Sequence, residues 1–235
     1  MGTTAKVIMI SGASRGIGEA VATELRSRGH RLSLGVRRPE TAAAVFGAPS
    51  DDLFVHAYEA GDPASPVAWV EATLRRFGRI DGVVANAGIA PFVGLEEGDV
   101  DELDRLWEID VKAPFLLVRA ALPALKRAGE GRVVTVASLS GKRVMGLNTG
   151  YQMAKHAVVA LTHSIRRHGW EHGIRATALC PGFTATDLTR HVTDPPAEAM
   201  TDPADLARLV ATVIELPNTA SVAELLVNCR YEHML

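Results

Sequence analysis

Short apolar runs alternate with amphipathic stretches along the whole chain. Val7–Ile10, Leu32–Val36, Leu53–Val55, Val83–Ala85, Val133–Ala137, Ala176–Leu179 and Leu225–Val227 mostly carry few polar positions. Such runs predict parallel strands covered on both faces. The stretches between them have a helical period. Ile17, Val21 and Leu25 recur every fourth residue, and Gly29 offers a C-terminal stop. Asp62-Pro63 and Ser65-Pro66 are alternative starts for a third helix, each a cap followed by proline at the first helical position. Asp202-Pro203, with Asp205 in the first turn, opens the last helix by the same logic. Strand alternating with helix predicts a doubly wound parallel α/β sheet of about seven strands, with helices on both faces. Ligands of such a sheet bind at the carboxyl ends of the strands, where the strand order reverses.

The 235 residues suit one large α/β domain, and residues 1–235 are read as one. His191–Pro203 is the most linker-like stretch, but too little chain follows it for a second domain. With 47% hydrophobic residues, 22% charged and a net charge of −2, the chain has no electrostatic footprint for nucleic acid or an anionic membrane. No apolar run approaches the roughly 20 residues that cross a bilayer. Met1–Lys6 lacks the pattern of a signal peptide. Only Cys180 and Cys229 could pair, so a reducing cytoplasm is the expected setting.

Ser11-Gly12-Ala13-Ser14-Arg15-Gly16-Ile17-Gly18 follows the first predicted strand and opens the first helix. It lacks the Lys-Ser/Thr ending of an ATP-binding loop, and its glycines do not space as G-x-G-x-x-G. Its position presents backbone N–H groups and a positive helix end to a pyrophosphate. Tyr151 and Lys155 lie four residues apart, on one face of a predicted helix. An ammonium beside a phenol favours the phenolate, which suits acid/base work. Ser138, placed at the end of the fifth strand, can hydrogen-bond a carbonyl oxygen beside that tyrosine.

These residues resemble the short-chain dehydrogenase/reductase family in its simple Rossmann-type form, over practically the whole chain. Residues 11–18 resemble its T-G-x-x-x-G-x-G cofactor loop, with Ser for Thr, and Ala85-Asn86-Ala87-Gly88 resembles N-N-A-G with the first Asn lost. Ser138 and Tyr151-Gln152-Met153-Ala154-Lys155 match the catalytic Ser and Y-x-x-x-K. Pro181-Gly182, followed by Thr186, matches the P-G-x-x-x-T turn that packs against nicotinamide. The resemblance implies hydride exchange between a nicotinamide cofactor and a small-molecule carbonyl or secondary alcohol. Tyr151 would be the acid/base, Lys155 would hold ribose hydroxyls, and Ser138 would fix the substrate oxygen. The family's fourth catalytic residue is Asn; Asp110 stands there. An ionised Asp110 close to Lys155 would raise the lysine's pKa and weaken its influence on Tyr151. The family also implies a homodimer or homotetramer, with the helices of 99–126 and 150–168 pairing across subunits.

An NAD-preferring site usually has an acidic residue at the end of the second strand. Val36 stands there, and no carboxylate occurs before Glu40. Arg37, with Arg15 from the glycine loop, fits the 2′-phosphate of NADP instead, while Arg38 stacks near adenine or faces solvent. NADP (NADPH) is therefore the expected cofactor. A dinucleotide-binding regulator with little turnover is the rival reading, supported only by Asp110. A 3-oxoacyl reductase is an alternative substrate reading, although those enzymes usually carry Gly-Gly after the last strand. His156, His163, His168 and His172 show no convergent third ligand, so no metal site is expected. Trp107 and Phe115 read as core or subunit contacts, and Cys180 as a small buried hydrophobe. Arg143, on the expected pocket rim Lys142–Asn148, is either a solvated cation or an attractor for an acidic substrate group. The lid after Gly182 contains Phe183, Leu188, Arg190 and His191.

Overall fold

Each apolar run forms a strand close to its expected bounds: β1 (Val7–Ser11), β2 (Arg31–Val36), β3 (Leu53–Ala57), β4 (Gly82–Ala85), β5 (Arg132–Val136), β6 (Arg175–Pro181) and β7 (Glu224–Val227). Their valines, isoleucines and leucines suit strands covered on both faces. The computed structural model describes residues 5–232, so most of the stretch read for a signal peptide lies outside the described residues. All seven strands run parallel in one sheet, in the order β3-β2-β1-β4-β5-β6-β7. Ile8 of β1 stands in register with Leu32 of β2 on one side and Gly82 of β4 on the other. The strand order reverses there, and the loops leaving β1 and β4 part to open a crevice.

The helices are α1 (Gly16–Ser27), α2 (Pro39–Phe46), α3 (Ser65–Phe77), α4 (Val100–Leu106), α5 (Ala113–Ala128), α6 (Thr149–Gly169) and α7 (Pro203–Glu215). Of the two candidate starts, the third helix opens at Ser65-Pro66, but Ser65 is its first residue and not its cap: Ala64 stands there, and the Ser65 hydroxyl accepts the Glu59 N–H at 3.0 Å. Asp62 instead accepts the Ala64 N–H in the preceding turn, at 2.9 Å. Asp202 caps α7 as expected, accepting the Ala204 N–H at 2.8 Å. The expected helix over 99–126 is interrupted, since Trp107–Lys112 form a π-helical stretch between α4 and α5.

Alternate residues of β1 serve opposite layers. Ile8 and Ile10 join Val21 and Leu25 of α1 and Leu206 and Val210 of α7. Met9 joins Trp69 of α3, Leu117 of α5 and Ile165 of α6 on the other face. Fully burying one such side chain contributes about 1.5–3 kcal/mol, so the two layers hold the sheet while its carboxyl edge carries polar loops. Trp107 and Phe115 do not enter either layer. Both are about half exposed, because the π-helical stretch and α5 turn Asp110 and Leu117 inward instead.

Ser33, in the middle of β2, is fully buried. Its hydroxyl accepts the indole N–H of Trp69 at 2.9 Å and meets the Thr73 hydroxyl at 2.7 Å. Ser33→Ala leaves that indole without its acceptor in a dry layer, and should cost about 1–3 kcal/mol of stability. Urea unfolding checks this; an unmoved midpoint would show that another acceptor takes over.

Candidate active site

Polar side chains stitch the crevice where the sheet reverses. Ser11, the last residue of β1, accepts the N–H groups of Asn86 and Ala87 on its hydroxyl, at 3.0 and 3.1 Å. Asn86 Nδ2 donates back to the carbonyls of Ser11 and Gly12, at 3.0 and 3.1 Å. Gly12 and Gly16 hold φ angles of +69° and +59°, which side chains other than glycine's rarely permit. These angles turn the chain sharply from β1 into α1 and aim the N-terminus of α1 at the crevice.

A cleft of about 450 Å³ runs from this loop to Tyr151. Its near end is lined by Gly12, Ser14, Arg15, Gly16 and Ile17, with Asn86, Ala87 and Gly88 opposite. Its far end is lined by Ser138, Tyr151, Lys155, Pro181 and Gly182, while Thr186 stands against Gly16 of the loop. Gly18 lies beneath the lining, so close to the Gly12 carbonyl that a Cβ would collide with it. A wider groove of about 710 Å³ between α1, α7 and residues 185–204 shares Arg15, Gly16 and Thr186 but holds none of Ser138, Tyr151 and Lys155.

The cap of α6 positions the tyrosine and lysine. Asn148 Oδ1 accepts the N–H groups of Tyr151 and Val93, at 3.3 and 3.0 Å, and its Nδ2 donates to the Pro91 carbonyl at 2.9 Å. One turn after Tyr151, the Lys155 side chain is almost sealed from solvent. Its Nζ lies 5.4 Å from the centre of the Tyr151 ring, donates to the Val136 carbonyl at 3.1 Å and meets Asp110 Oδ2 at 3.0 Å. Asp110 is buried in the π-helical stretch. Its Oδ1 accepts the Ile89 N–H at 2.8 Å, and its Oδ2 has no partner besides the ammonium. Burial disfavours the charge on Lys155, but the Asp110 carboxylate, with Tyr151 behind it, outweighs that cost and raises the lysine's pKa.

Ser138 lies two residues past β5, not at its end. Its hydroxyl accepts the Ser140 N–H at 3.1 Å and donates to the Pro181 carbonyl across a long 3.4 Å. Cys180 is fully buried, and that burial pushes its thiol up to about 11, as befits a packing residue.

At the other end of the cleft, Arg37 and Arg38 follow β2, exposed and without an ion-pair partner among the described residues. Arg15 is engaged: its Nη1 lies 3.3 Å from Asp187 Oδ2, with both side chains more than half exposed. Arg143 departs from the sequence reading. It is neither solvated nor part of the cleft, because its guanidinium binds Glu232 through Nε and Nη2 at 2.6 and 2.8 Å. The chain beyond β7 folds back over the 142–148 loop, which local sequence does not reveal. Three of those four histidines have separate partners: His156 meets the Gln152 carbonyl, His163 meets Glu224, and His168 meets the Ser164 carbonyl.

Asn148 was placed on the expected rim, but its capping role went unread although it carried a legible signal, a capping residue three positions before Tyr151 at a predicted helix start. Among the lining residues that escaped sequence reasoning, Arg105 and Ile109 carried no signal, because the π-helical stretch decides which side of α4 meets the cleft.

The profile of the family described as short chain dehydrogenase matches residues 6–197. Among curated proteins, an agropine synthesis reductase of Rhizobium rhizogenes is 42% identical over 227 residues, 96% of this chain and 53% of that protein. The chain thus spans about half the length of that relative. An alcohol dehydrogenase from the archaeon Thermococcus sibiricus, solved with 5-hydroxy-NADP, superposes with a TM-score of 0.86 at 30% identity, covering 95% of this chain and 96% of that one. A 3-ketoacyl-(acyl-carrier-protein) reductase from Brucella melitensis, solved with NADH, superposes with a TM-score of 0.88 at 28% identity, covering 95% and 97%.

Removing one half of a buried ion pair strands the other. Asp110→Ala should cost about 3–5 kcal/mol. Asp110→Asn still accepts the Ile89 N–H and should cost less. Guanidinium unfolding of both variants at pH 7 tests this, and equal, small losses would show that water takes the carboxylate's place.

Proposed function

We propose a function that starts from one premise: the chain belongs to the short-chain dehydrogenase family, and its chemistry is that of an oxidoreductase. The reaction proposed is NADP-dependent transfer of hydride between nicotinamide and a small-molecule carbonyl or secondary alcohol. The observation that best supports it is the convergence of Ser138, Tyr151 and Lys155 in the cleft that begins at the glycine loop.

The residues fit a dinucleotide along its length. Arg37 and Arg38 offer two unpaired guanidiniums for a phosphate on the adenosine ribose. The N-terminus of α1 offers N–H groups for the pyrophosphate, aided by Ser14. Arg15 can join Arg37, since its exposed pair with Asp187 is worth little and exchanges readily. Pro181, Gly182 and Thr186 are the expected wall for the nicotinamide half, and Asn86–Gly88 face the glycine loop. When bound, the cofactor supplies or accepts the hydride.

The chain's own residues then handle the proton. In reduction, Tyr151 gives its phenolic proton to the substrate oxygen, and in oxidation it takes that proton back. Ser138 donates a hydrogen bond to the same oxygen, which requires only that it leave its long bond to Pro181. Lys155 stabilises the phenolate through its charge beside the ring. Two of its three donors are committed to Val136 and Asp110, leaving one for a ribose hydroxyl. Asp110 tempers that charge, so slower turnover is expected than with a neutral side chain in its place. Trp107 and Phe115, half exposed on neighbouring turns, support a homodimer or homotetramer contact along residues 107–128.

Tyr151→Phe should abolish turnover and leave NADPH binding, read by fluorescence titration, nearly unchanged. Near-normal kcat in that variant would remove the tyrosine from the mechanism. Replacing Val36 by Asp and Arg37 by Ala should lower kcat/KM with NADPH by about ten- to a hundredfold and shift preference towards NADH. A wild-type protein that already favours NADH would sink the NADP assignment.

A further inference from the structure

Residues 139–150 join Ser138 to Tyr151, and both ends of that segment line the cleft, so the loop between borders its mouth. Asn148 laces this loop to the one after β4, through the Val93 N–H and the Pro91 carbonyl. Leu188 forms the facing edge of the lid. Many of the large side chains these three segments leave in water are apolar. Leu95 is 90% exposed, Leu147 78% and Val144 68%, while Phe92, Met145 and Leu188 are each about half exposed. Converging apolar side chains of this kind mark a surface that binds something.

The charges around the mouth say what kind of molecule it is. Both cations of the loop are consumed by ion pairs, Lys142 with Glu224 at 2.8 Å and Arg143 with Glu232 at 2.6 Å. Glu96 and Glu97, next to Leu95, are exposed and have no cation partner among the described residues. Arg105 lines the cleft but is paired with Glu102 at 2.8 Å, and Arg190 of the lid is exposed but does not line the cleft. An anionic substrate approaching Tyr151 therefore passes two carboxylates and finds no free cation at the rim. A neutral apolar one loses nothing to charge and covers the exposed leucines.

Resting on the hydride-transfer reading above, we propose that this mouth selects neutral, apolar ketones, or the corresponding secondary alcohols, and discriminates against substrates with a carboxylate or phosphate close to the reacting carbon. The specificity is set by the loop that spans Ser138 and Tyr151, through the pairing-off of its own two cations.

The test is steady-state kinetics of the full chain on matched pairs: ethyl 3-oxobutanoate against 3-oxobutanoate, and cyclohexanone against 4-oxocyclohexanecarboxylate. Each is measured with NADPH and with NADH. The neutral member of each pair should show a kcat/KM at least about tenfold higher, with most of the difference in KM. Leu147→Lys places a free cation in the apolar mouth; it should leave the melting temperature unchanged and shift the acid-to-neutral ratio of kcat/KM several-fold towards the acids, with the neutral substrates losing an apolar contact. Acids turned over as well as or better than their partners would overturn the proposal. So would acid turnover that collapses selectively in Arg190→Ala, or an acid-to-neutral ratio unmoved by Leu147→Lys. If none of the four compounds reacts with either nucleotide, the hydride-transfer reading itself fails, which separates the two failures.

Discussion

An ammonium sealed from water must be matched by an opposite charge, and the site is arranged around that requirement. Lys155 meets Asp110 at 3.0 Å in a setting where both side chains are almost wholly buried. Several features that look unrelated along the chain serve this contact. The π-helical stretch Trp107–Lys112 adds a residue to the turn and brings the carboxylate inward; such insertions recur at functional positions. Gly88 leaves room for it, since a Cβ there would lie 3.2 Å from Asp110 Oδ2. The next residue, Ile89, supplies the N–H that fixes the other carboxylate oxygen. Buried ion pairs seldom add net stability, because desolvation consumes the Coulombic gain. The pair is therefore better understood as holding a charge beside Tyr151 than as strengthening the fold.

The fold makes this affordable by separating stability from chemistry. Two apolar layers, one behind α1 and α7 and the other behind α3, α5 and α6, carry the hydrophobic burial. The carboxyl edge of the sheet is then free to present polar groups. At the reversal between β1 and β4 the loops part, and Ser11 and Asn86 bridge the gap with four hydrogen bonds. The glycine loop is thus tied directly to the strand end that leads to Gly88 and, through it, to the Asp110–Lys155 pair. Glycine loop and buried charge belong to one connected frame.

What the sequence revealed is what depends on local spacing. Seven apolar runs became seven strands, and Asp202 and Gly29 marked helix ends, because periodicity and capping are properties of neighbouring residues. Ser138, Tyr151 and Lys155 were legible for the same reason, their separations being set within one strand, one loop and one helix. Charge pairing was not. Arg143 meets a glutamate 89 positions away, and Arg15 an aspartate 172 positions away. No local pattern distinguishes these arginines from Arg37, which remains unpaired. The π-helical stretch was also invisible, since Trp107–Lys112 reads as ordinary helix, and with it the side of α4 that contributes Arg105.

Those hidden pairings give the cleft its polarity. The whole chain is nearly neutral, at −2, so composition alone predicts no gradient. Yet the end beside β2 keeps Arg37 and Arg38 without an ion-pair partner among the described residues, while on the segments around the mouth Lys142 and Arg143 are paired off and Glu96 and Glu97 are not. A long ligand carrying several phosphates is drawn to the first end and repelled from the second. Under the function proposed above, a dinucleotide would lie with its phosphates near the glycine loop and its nicotinamide near Tyr151. Orientation is therefore decided less by how many cations the chain has than by which of them the fold leaves without a partner.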